Sequence, residues 1–434
     1  MQTATTTVSR PTWNTVSNRV LALLSLMYML FYIDRVNIST AAPLMKADLH
    51  LSNTELGLAF SAFAYPYAIF QLIGGWLADK FGPRATLGVS GLIVCITTAL
   101  TGAVGGLASL FAVRLCLGFG EGSAFPTATR AMSTWMPARA WGFAQGVTHS
   151  ASRIGNAVTP PVIAWLIAMI SWRGSFVVLG TASLVWMALW LWFFRDNPRA
   201  HPGVTSAELA QLPNVWPSAS AERSKVPWRH LARRMLPVTA VDFCYGWTLW
   251  MFLSWIPSFF FQHFHLDLKN SALFSSGVFL SGVIGDTLGG VVSDKILKRT
   301  GDLRRARCLV IAGGLFGGFL FMIPVVVSQD LTAVALCLSA AFFCTEMVVA
   351  PIWAVPMDIA PRFAGSASGM MNFGFGVAGI ISPFVFGYVI DVTHSWTVPF
   401  IGSIGLLLIG SILALRLRPD MQLFEPMTAA AKRS

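Results

Sequence analysis

The chain is 434 residues long, 55% hydrophobic, 12% aromatic and only 11% charged, where a soluble domain carries roughly a quarter charged residues. With a mean hydropathy of +0.65, an ordinary soluble enzyme is excluded. A net charge of +11 would fit nucleic acid in a soluble chain, so the placement of the basic residues has to decide.

A helix crosses the ~30 Å hydrocarbon core with about 20 residues at 1.5 Å each. Apolar runs long enough to do so fall near 20–42, 56–78, 86–104, 107–130, 143–170 and 174–194, then near 237–261, 272–293, 308–327, 331–353, 365–390 and 396–416. The pattern predicts an all-α polytopic membrane protein of twelve helices in two six-helix bundles. Residues 1–19 form an N-terminal segment, 20–194 the first bundle, 195–236 a linker, 237–416 the second bundle and 417–434 a tail. The linker is polar, holds five prolines and seven Arg or Lys, and leaves room for a short surface helix. The Thr- and Ser-rich N-terminus lacks the compact pattern of a cleavable signal, so nothing is expected to be removed. Cys95, Cys116, Cys244, Cys308, Cys337 and Cys344 lie within or beside apolar runs without metal-ligand spacing, and read as buried small apolar residues.

Counting loops alternately places Arg10, Arg19, Lys80, Arg84, Arg139, the linker cluster, Lys295 to Arg307, Arg362, Arg416, Arg418, Lys432 and Arg433 on one side, against Lys46, Arg173 and Lys269 on the other. The positive-inside rule then puts both termini in the cytoplasm of a multi-pass protein of the cell (inner) membrane. Basic loops facing anionic lipid headgroups account for the charge without nucleic acid.

Charges inside apolar runs are expensive and default to functional candidates. They are Asp34, Arg35, Arg114, Glu121, Arg153, Asp242, Asp286 and Glu346. Successive helical residues turn by about 100°, so Tyr28, Tyr32, Arg35 and Ser39 form one stripe and Asp34 addresses other neighbours. Arg114 and Glu121 line up on one face without touching; a structural ion pair to other helices is the alternative to a role in a cavity. His149, Ser152, Arg153 and Asn156 make a polar face on a helix expected to end at Pro160-Pro161, with a packing histidine as the alternative for His149. Asn372 reads equally as interhelical glue. Asp242 and Asp286 favour packing or interfacial roles, Glu346 stays open, and Trp247, Trp250 and Trp255 read as lipid-facing or interfacial.

The second run ends in Gly75-Trp-Leu-Ala-Asp79-Lys80-Phe-Gly82-Pro83-Arg84, and the eighth ends in Gly290-Val-Val-Ser-Asp294-Lys295. This repeated string resembles the signature loop of the major facilitator superfamily, whose two bundles rock about a midplane site. Tyr32-Ile-Asp34-Arg35-Val-Asn37, Phe60-Ser-Ala-Phe-Ala-Tyr65-Pro-Tyr67, Arg114 with Glu121, Ala124-Phe125-Pro126-Thr127 and Asn372-Phe-Gly resemble the superfamily's anion:cation symporter branch, which includes galactonate, hexuronate and other organic-acid carriers.

The resemblance implies proton-coupled uptake of a small organic acid anion, a sugar acid or a hydroxy- or dicarboxylate, by alternating access, with the proton as coupling ion, no cofactor and no metal. It implies Arg35 on the substrate carboxylate with Tyr32, Tyr67 and Asn372 around it, and Ser152 as a polar substrate contact. Asp34 and Glu121 would be the protonatable pair, with Arg114 as their internal partner. Gly75, Asp79, Gly82, Arg84 and Asp294 would serve conformational gating. Arg153 departs from the branch's usual apolar residue and, with His149 beside it, points to a second anionic or strongly polar group on the substrate, or else to a salt bridge with Asp34, Glu121 or a carboxylate of the second bundle such as Glu346. The loop Pro137-Ala-Arg-Ala-Trp-Gly lacks the Glu-Arg dipeptide common there, which leaves the usual charge lock in that half in doubt. The competing readings are a proton-driven exporter of the same superfamily, whose fifth-helix Gly-Pro string is missing here, and a transport-inactive sensor. An enzyme is not expected, and the chain is expected to work as a monomer.

Overall fold

The computed structural model describes residues 15–137, 141–212, 227–360 and 364–423, except the side chains of residues 72, 79, 141–143, 364 and 365. Arg10, Arg139, Arg362, Lys432, Arg433 and the Asp79 side chain therefore lie outside the described residues. The fold is all-helical, in chain order α1 (Val16–Asp48), α2 (Asn53–Phe81), α3 (Pro83–Thr101), α4 (Leu107–Gly122), α5 (Ala124–Trp135), α6 (Trp141–Met169), α7 (Trp172–Phe193), α8 (Ser206–Leu209), α9 (Trp228–His263), α10 (Leu268–Thr300), α11 (Leu303–Val327), α12 (Leu331–Glu346), α13 (Val349–Ile359), α14 (Ala364–Thr393) and α15 (Val398–Ala414). α4 with α5, and α12 with α13, each form one interrupted rod, so twelve rods stand in two groups of six. Among the described residues nine rods are long and apolar enough to span a membrane, and α15 is a shorter apolar helix.

Local sequence sets the boundaries. Ser52 and Glu55 form a reciprocal capping box at the start of α2, and Asp267, Asp302 and Asp330 accept the first amides of α10, α11 and α12. Gly82 takes φ +82 between α2 and α3, with Pro83 at the first position of α3. The linker holds the four-residue α8, whose Glu208 accepts from Ser17 of α1 at 2.8 and 2.6 Å. Contrary to expectation, α6 runs straight through Pro160 and Pro161. The fourth and tenth runs instead break, at Ser123 and at Met347-Val348.

α1 packs on α6, α2 on α4 and α3 on α7 within the first group; α9 packs on α14, and α11 on α12 and α15, within the second. The groups meet where α2 crosses α14, α6 crosses α10 and α1 crosses α9. At the end away from the linker the crossing is close. A Cβ on Gly57 would strike the Pro383 carbonyl, and one on Gly387 the Asn53 carbonyl. There Asp391 of α14 accepts from the Asn53 side chain at 2.8 Å and from the amide and hydroxyl of Thr54 at 2.6 Å each. Ser276 of α10 donates to the Ala157 carbonyl of α6, and Phe60 meets Trp255 edge-on at 5.5 Å.

Candidate functional site

The stripe on α1 turns toward the middle of the molecule. Arg35 donates through Nε to Glu121 of α4 at 2.8 Å, and both side chains are almost fully buried. Around the guanidinium stand the rings of Tyr32 and Tyr67, each 4.7 Å away, and of Phe63, Phe125 and Trp250 at 5.2, 5.2 and 5.8 Å. Ring faces and a cation attract one another most strongly where water is excluded. Trp250 comes from the second bundle and is fixed by its indole N–H on the Phe375 carbonyl. Neither Nη1 nor Nη2 of Arg35, nor the second oxygen of Glu121, has a protein partner. A buried donor without a partner is costly, and the free end of the Arg35 fork holds two such donors.

Asp34 points elsewhere, as its 100° offset requires, and accepts from Thr98 of α3 at 3.0 Å. No contact ion pair or hydrogen bond joins Arg114 to Asp34 or Glu121, although both carboxylates act on it through space. Arg114 lies over the Phe63 ring at 4.9 Å with Nε unpartnered, and the internal partner of Glu121 is Arg35 instead. The reason is rotation: Arg114 and Glu121 share a face of α4 two turns apart, while Arg35 enters from α1 level with Glu121.

Arg153 on α6 finds its counter-ions in the second bundle, Glu346 of α12 at 2.7 Å and Asp286 of α10 at 3.5 Å. The shorter approach is an ion contact whose angles fall short of a hydrogen bond. The Tyr245 hydroxyl of α9 donates to the other oxygen of Glu346 at 3.3 Å. Asp286 and Glu346 are thereby drawn into the centre, beyond the packing role expected for the first of them. Ser152 turns its hydroxyl back to the His149 carbonyl at 2.6 Å. His149 sits between Tyr28 and Trp353 at 5.6 and 5.7 Å, with Nδ1 unpartnered. Tyr67 stacks on Phe63 at 5.2 Å, and Asn372 is buried on α14.

At the linker end, the Arg84 amide donates to Asp196 at 2.8 Å and its guanidinium to the Leu191 carbonyl. Burial pushes the Asp196 carboxyl above its usual value, against the pull of Arg84. A Cβ on Gly75 would meet nothing nearer than Pro126 at 3.9 Å; the tight glycine is Gly74, against the Ser123 backbone. Asp294 lies 3.6 Å from Arg307, which also holds Asp358 at 3.1 Å.

Several of these residues escaped the sequence reading. Trp250 and Trp255 are buried, not lipid-facing, and Cys116 is exposed although a buried thiol was expected. Phe63 could have been found, being one helical turn before Tyr67 on α2. Tyr245 and Trp250 carry no such signal, because only the docking of the bundles brings them to Arg153 and Arg35.

The family model of the Major Facilitator Superfamily matches residues 24–383. A protein of Cupriavidus necator described as a probable sulfoacetate transporter is 49% identical, over 94% of this chain and 95% of its own length. The hexuronate transporter of Bacillus subtilis is 30% identical over 92% of this chain and 93% of its own. Among solved structures, an inward-facing bacterial homologue of the human lysosomal transporter Spinster superposes with TM-score 0.76 at 16% identity, over 93% of this chain and 97% of that one. The D-xylose-proton symporter superposes with TM-score 0.72 at 15% identity, over 93% and 98%. A helical repeat of two bundles, charges buried at their meeting point and a family match along most of the chain lead to one conclusion: this chain belongs to the major facilitator superfamily, and it is a membrane transporter rather than an enzyme.

Proposed function

We propose that the chain carries a small organic acid anion into the cell together with protons, the substrate carboxylate being bound by the free Nη1 and Nη2 of Arg35. The observation that carries this reading is Arg35 itself, tethered by one nitrogen to Glu121 while two remain without a protein partner inside an aromatic cage. A guanidinium offers a carboxylate two parallel donors, and the rings exclude water that would weaken the bond. The curated relatives support the substrate class, since they are described as carriers of sulfoacetate, hexuronates and galactarate or D-glucarate.

Coupling follows from charge. Ionised Glu121 neutralises Arg35; protonated Glu121 leaves the guanidinium positive for the anion. Entry of one negative charge into a negative-inside cell costs about 2.3 kcal/mol per 100 mV, and an accompanying proton cancels that cost. Asp34, which accepts from Thr98, is the second proton carrier in this reading, while Tyr32, Tyr67, Asn372, Ser152 and His149 shape the pocket. The loop residues Gly75, Asp79, Gly82, Arg84 and Asp294 act on the rocking of the bundles, in a multi-pass protein of the inner membrane with both termini in the cytoplasm.

Replacing Glu121 by Gln tests this. In proteoliposomes the variant should bind and exchange a labelled acid, yet fail to accumulate it under an imposed pH gradient. Accumulation by the variant would move the coupling elsewhere, and net efflux driven by inward protons in the wild type would make the protein an exporter.

A further inference from the structure

Arg153 is shared between two tasks. Its ion contacts reach the second bundle, but the face of its guanidinium lies over Tyr32 at 5.6 Å, the ring that Arg35 approaches at 4.7 Å. The two guanidinium carbons are therefore at most about 10 Å apart. The groups facing Arg153 are Glu346, Asp286, Tyr245, Tyr32 and His149; those facing Glu346 are Arg153, Asp286 and Tyr245. Two carboxylates thus stand against one guanidinium where none of the three is more than 9% exposed. Yet Nη1 of Arg153 has no partner, and Asn156, about one turn along α6 and fully buried, has neither Oδ1 nor Nδ2 bonded. The cluster has one negative charge too many and donors to spare.

We propose that Arg153 is the anchor for the second anionic head of a short dianionic substrate, and that Glu346 yields it by taking a proton. This deepens the reading of Arg35 as the carboxylate anchor and rests on it. A guanidinium donating two bonds of about 2.8 Å stands roughly 4 Å from the central atom of an oxyanion. With the two guanidinium carbons no more than about 10 Å apart, heads separated by one or two carbons, such as a carboxylate and a sulfonate on one methylene, reach both. A six-carbon diacid overshoots, and a monoacid reaches one arginine only. Charge balance sets the order of events. A third anionic group cannot enter beside Glu346 and Asp286 while both are ionised, so an O–H bond forms on Glu346 as its ion contact to Arg153 breaks and the substrate head replaces it. The proton comes from the aqueous phase facing the site and leaves with the substrate on the other side.

The test uses the purified full chain, with sulfoacetate and malonate as short dianions and sulfamoylacetate, whose carboxylate is kept and whose sulfonate is replaced by an uncharged sulfonamide, as a monoanion of the same shape. Arg153→Gln should weaken sulfoacetate about tenfold or more and the monoanion less than about twofold. Glu346→Gln should retain sulfoacetate binding, weaken less steeply than the wild type as pH rises because only the Glu121 and Asp34 contributions remain, and carry one proton fewer per sulfoacetate. If Arg153→Gln does not fold, the double variant Arg153→Gln/Glu346→Gln removes the closer ion contact whole, leaves only Asp286, the more exposed of the two carboxylates, without its cation, and should show the same loss of preference. An unchanged dianion-to-monoanion ratio, a wild-type pH profile in Glu346→Gln, or transport of galactarate with neither short dianion overturns the proposal. Wild-type uptake of no organic acid, or uptake without protons, would instead overturn the reading on which it rests.

Discussion

Arg35 gives one nitrogen to Glu121 and keeps two, so its shape matters as much as its charge. Arg35→Lys should preserve folding and the tie to Glu121 while losing the fork, weakening substrate by about 3 kcal/mol, roughly a hundredfold in Kd; isothermal titration against the transported acid measures it, and a Lys variant with near-normal affinity would refute a bidentate grip. At this scale the sequence was legible wherever rotation about one helix decides. The divergence of Asp34 from Arg35 follows from 100° per residue, and the structure sends them to Thr98 and Glu121. Partners across helices were not legible. α6 alone does not choose Glu346 from among the candidate carboxylates for Arg153, because 193 residues and a whole bundle separate the two. The same limit hid Trp250, which reads with Trp247 and Trp255 as belonging to the lipid boundary.

Helix ends and breaks divide similarly. Capping residues and Pro or Gly punctuation placed most of the rods, since those signals act within a few residues. The interruptions at Ser123 and Met347-Val348 lie inside apolar runs about one turn before Pro126 and Pro351, whose rings reach back to the Gly122 and Met347 carbonyls, and hydrophobicity alone is blind to them. Pro160 and Pro161 err in the opposite sense: neighbouring helices let α6 continue through them, as packed membrane helices allow. The crossing of α2 and α14 is an element-scale property with its own prediction. Gly57→Val places a branched side chain against the Pro383 and Phe384 backbone, so that end of the bundles should no longer close. Thermal stability in detergent should fall by only a few degrees, turnover should drop about tenfold, consistent with a loss near 1.4 kcal/mol in reaching the closed state, and a cysteine placed at Ser61 should react faster with a thiol reagent than in the parent. Unchanged turnover would show that the close contact is incidental.

For the whole molecule, the crossing bonds described here lie at mid-depth or at the end away from the linker, so the conformation is closed at that end. Asp391 is its clasp, joining the last turn of α14 to the first amides of α2. Asp391→Ala removes a charged acceptor worth about 1.5–3 kcal/mol and should move the population toward the state open there; spin labels at His50 and His394 should then report a longer distance, and an unchanged distribution would assign the closure to packing alone. The ion contact between Arg153 and Glu346 also has a history in time. At about 5–20 residues per second of synthesis, Glu346 emerges roughly 10–40 s after Arg153. For about the first two thirds of that interval, until Asp286 is made, the newborn first bundle holds a cation whose second-bundle counter-ions do not yet exist, and no carboxylate one turn away on α6 can stand in for them. The first half is thus an assembly intermediate waiting for its sequel: made alone it should be cleared by membrane proteases, made with Arg153→Met it should persist, and made beside a separately encoded second half it should be rescued without the substitution.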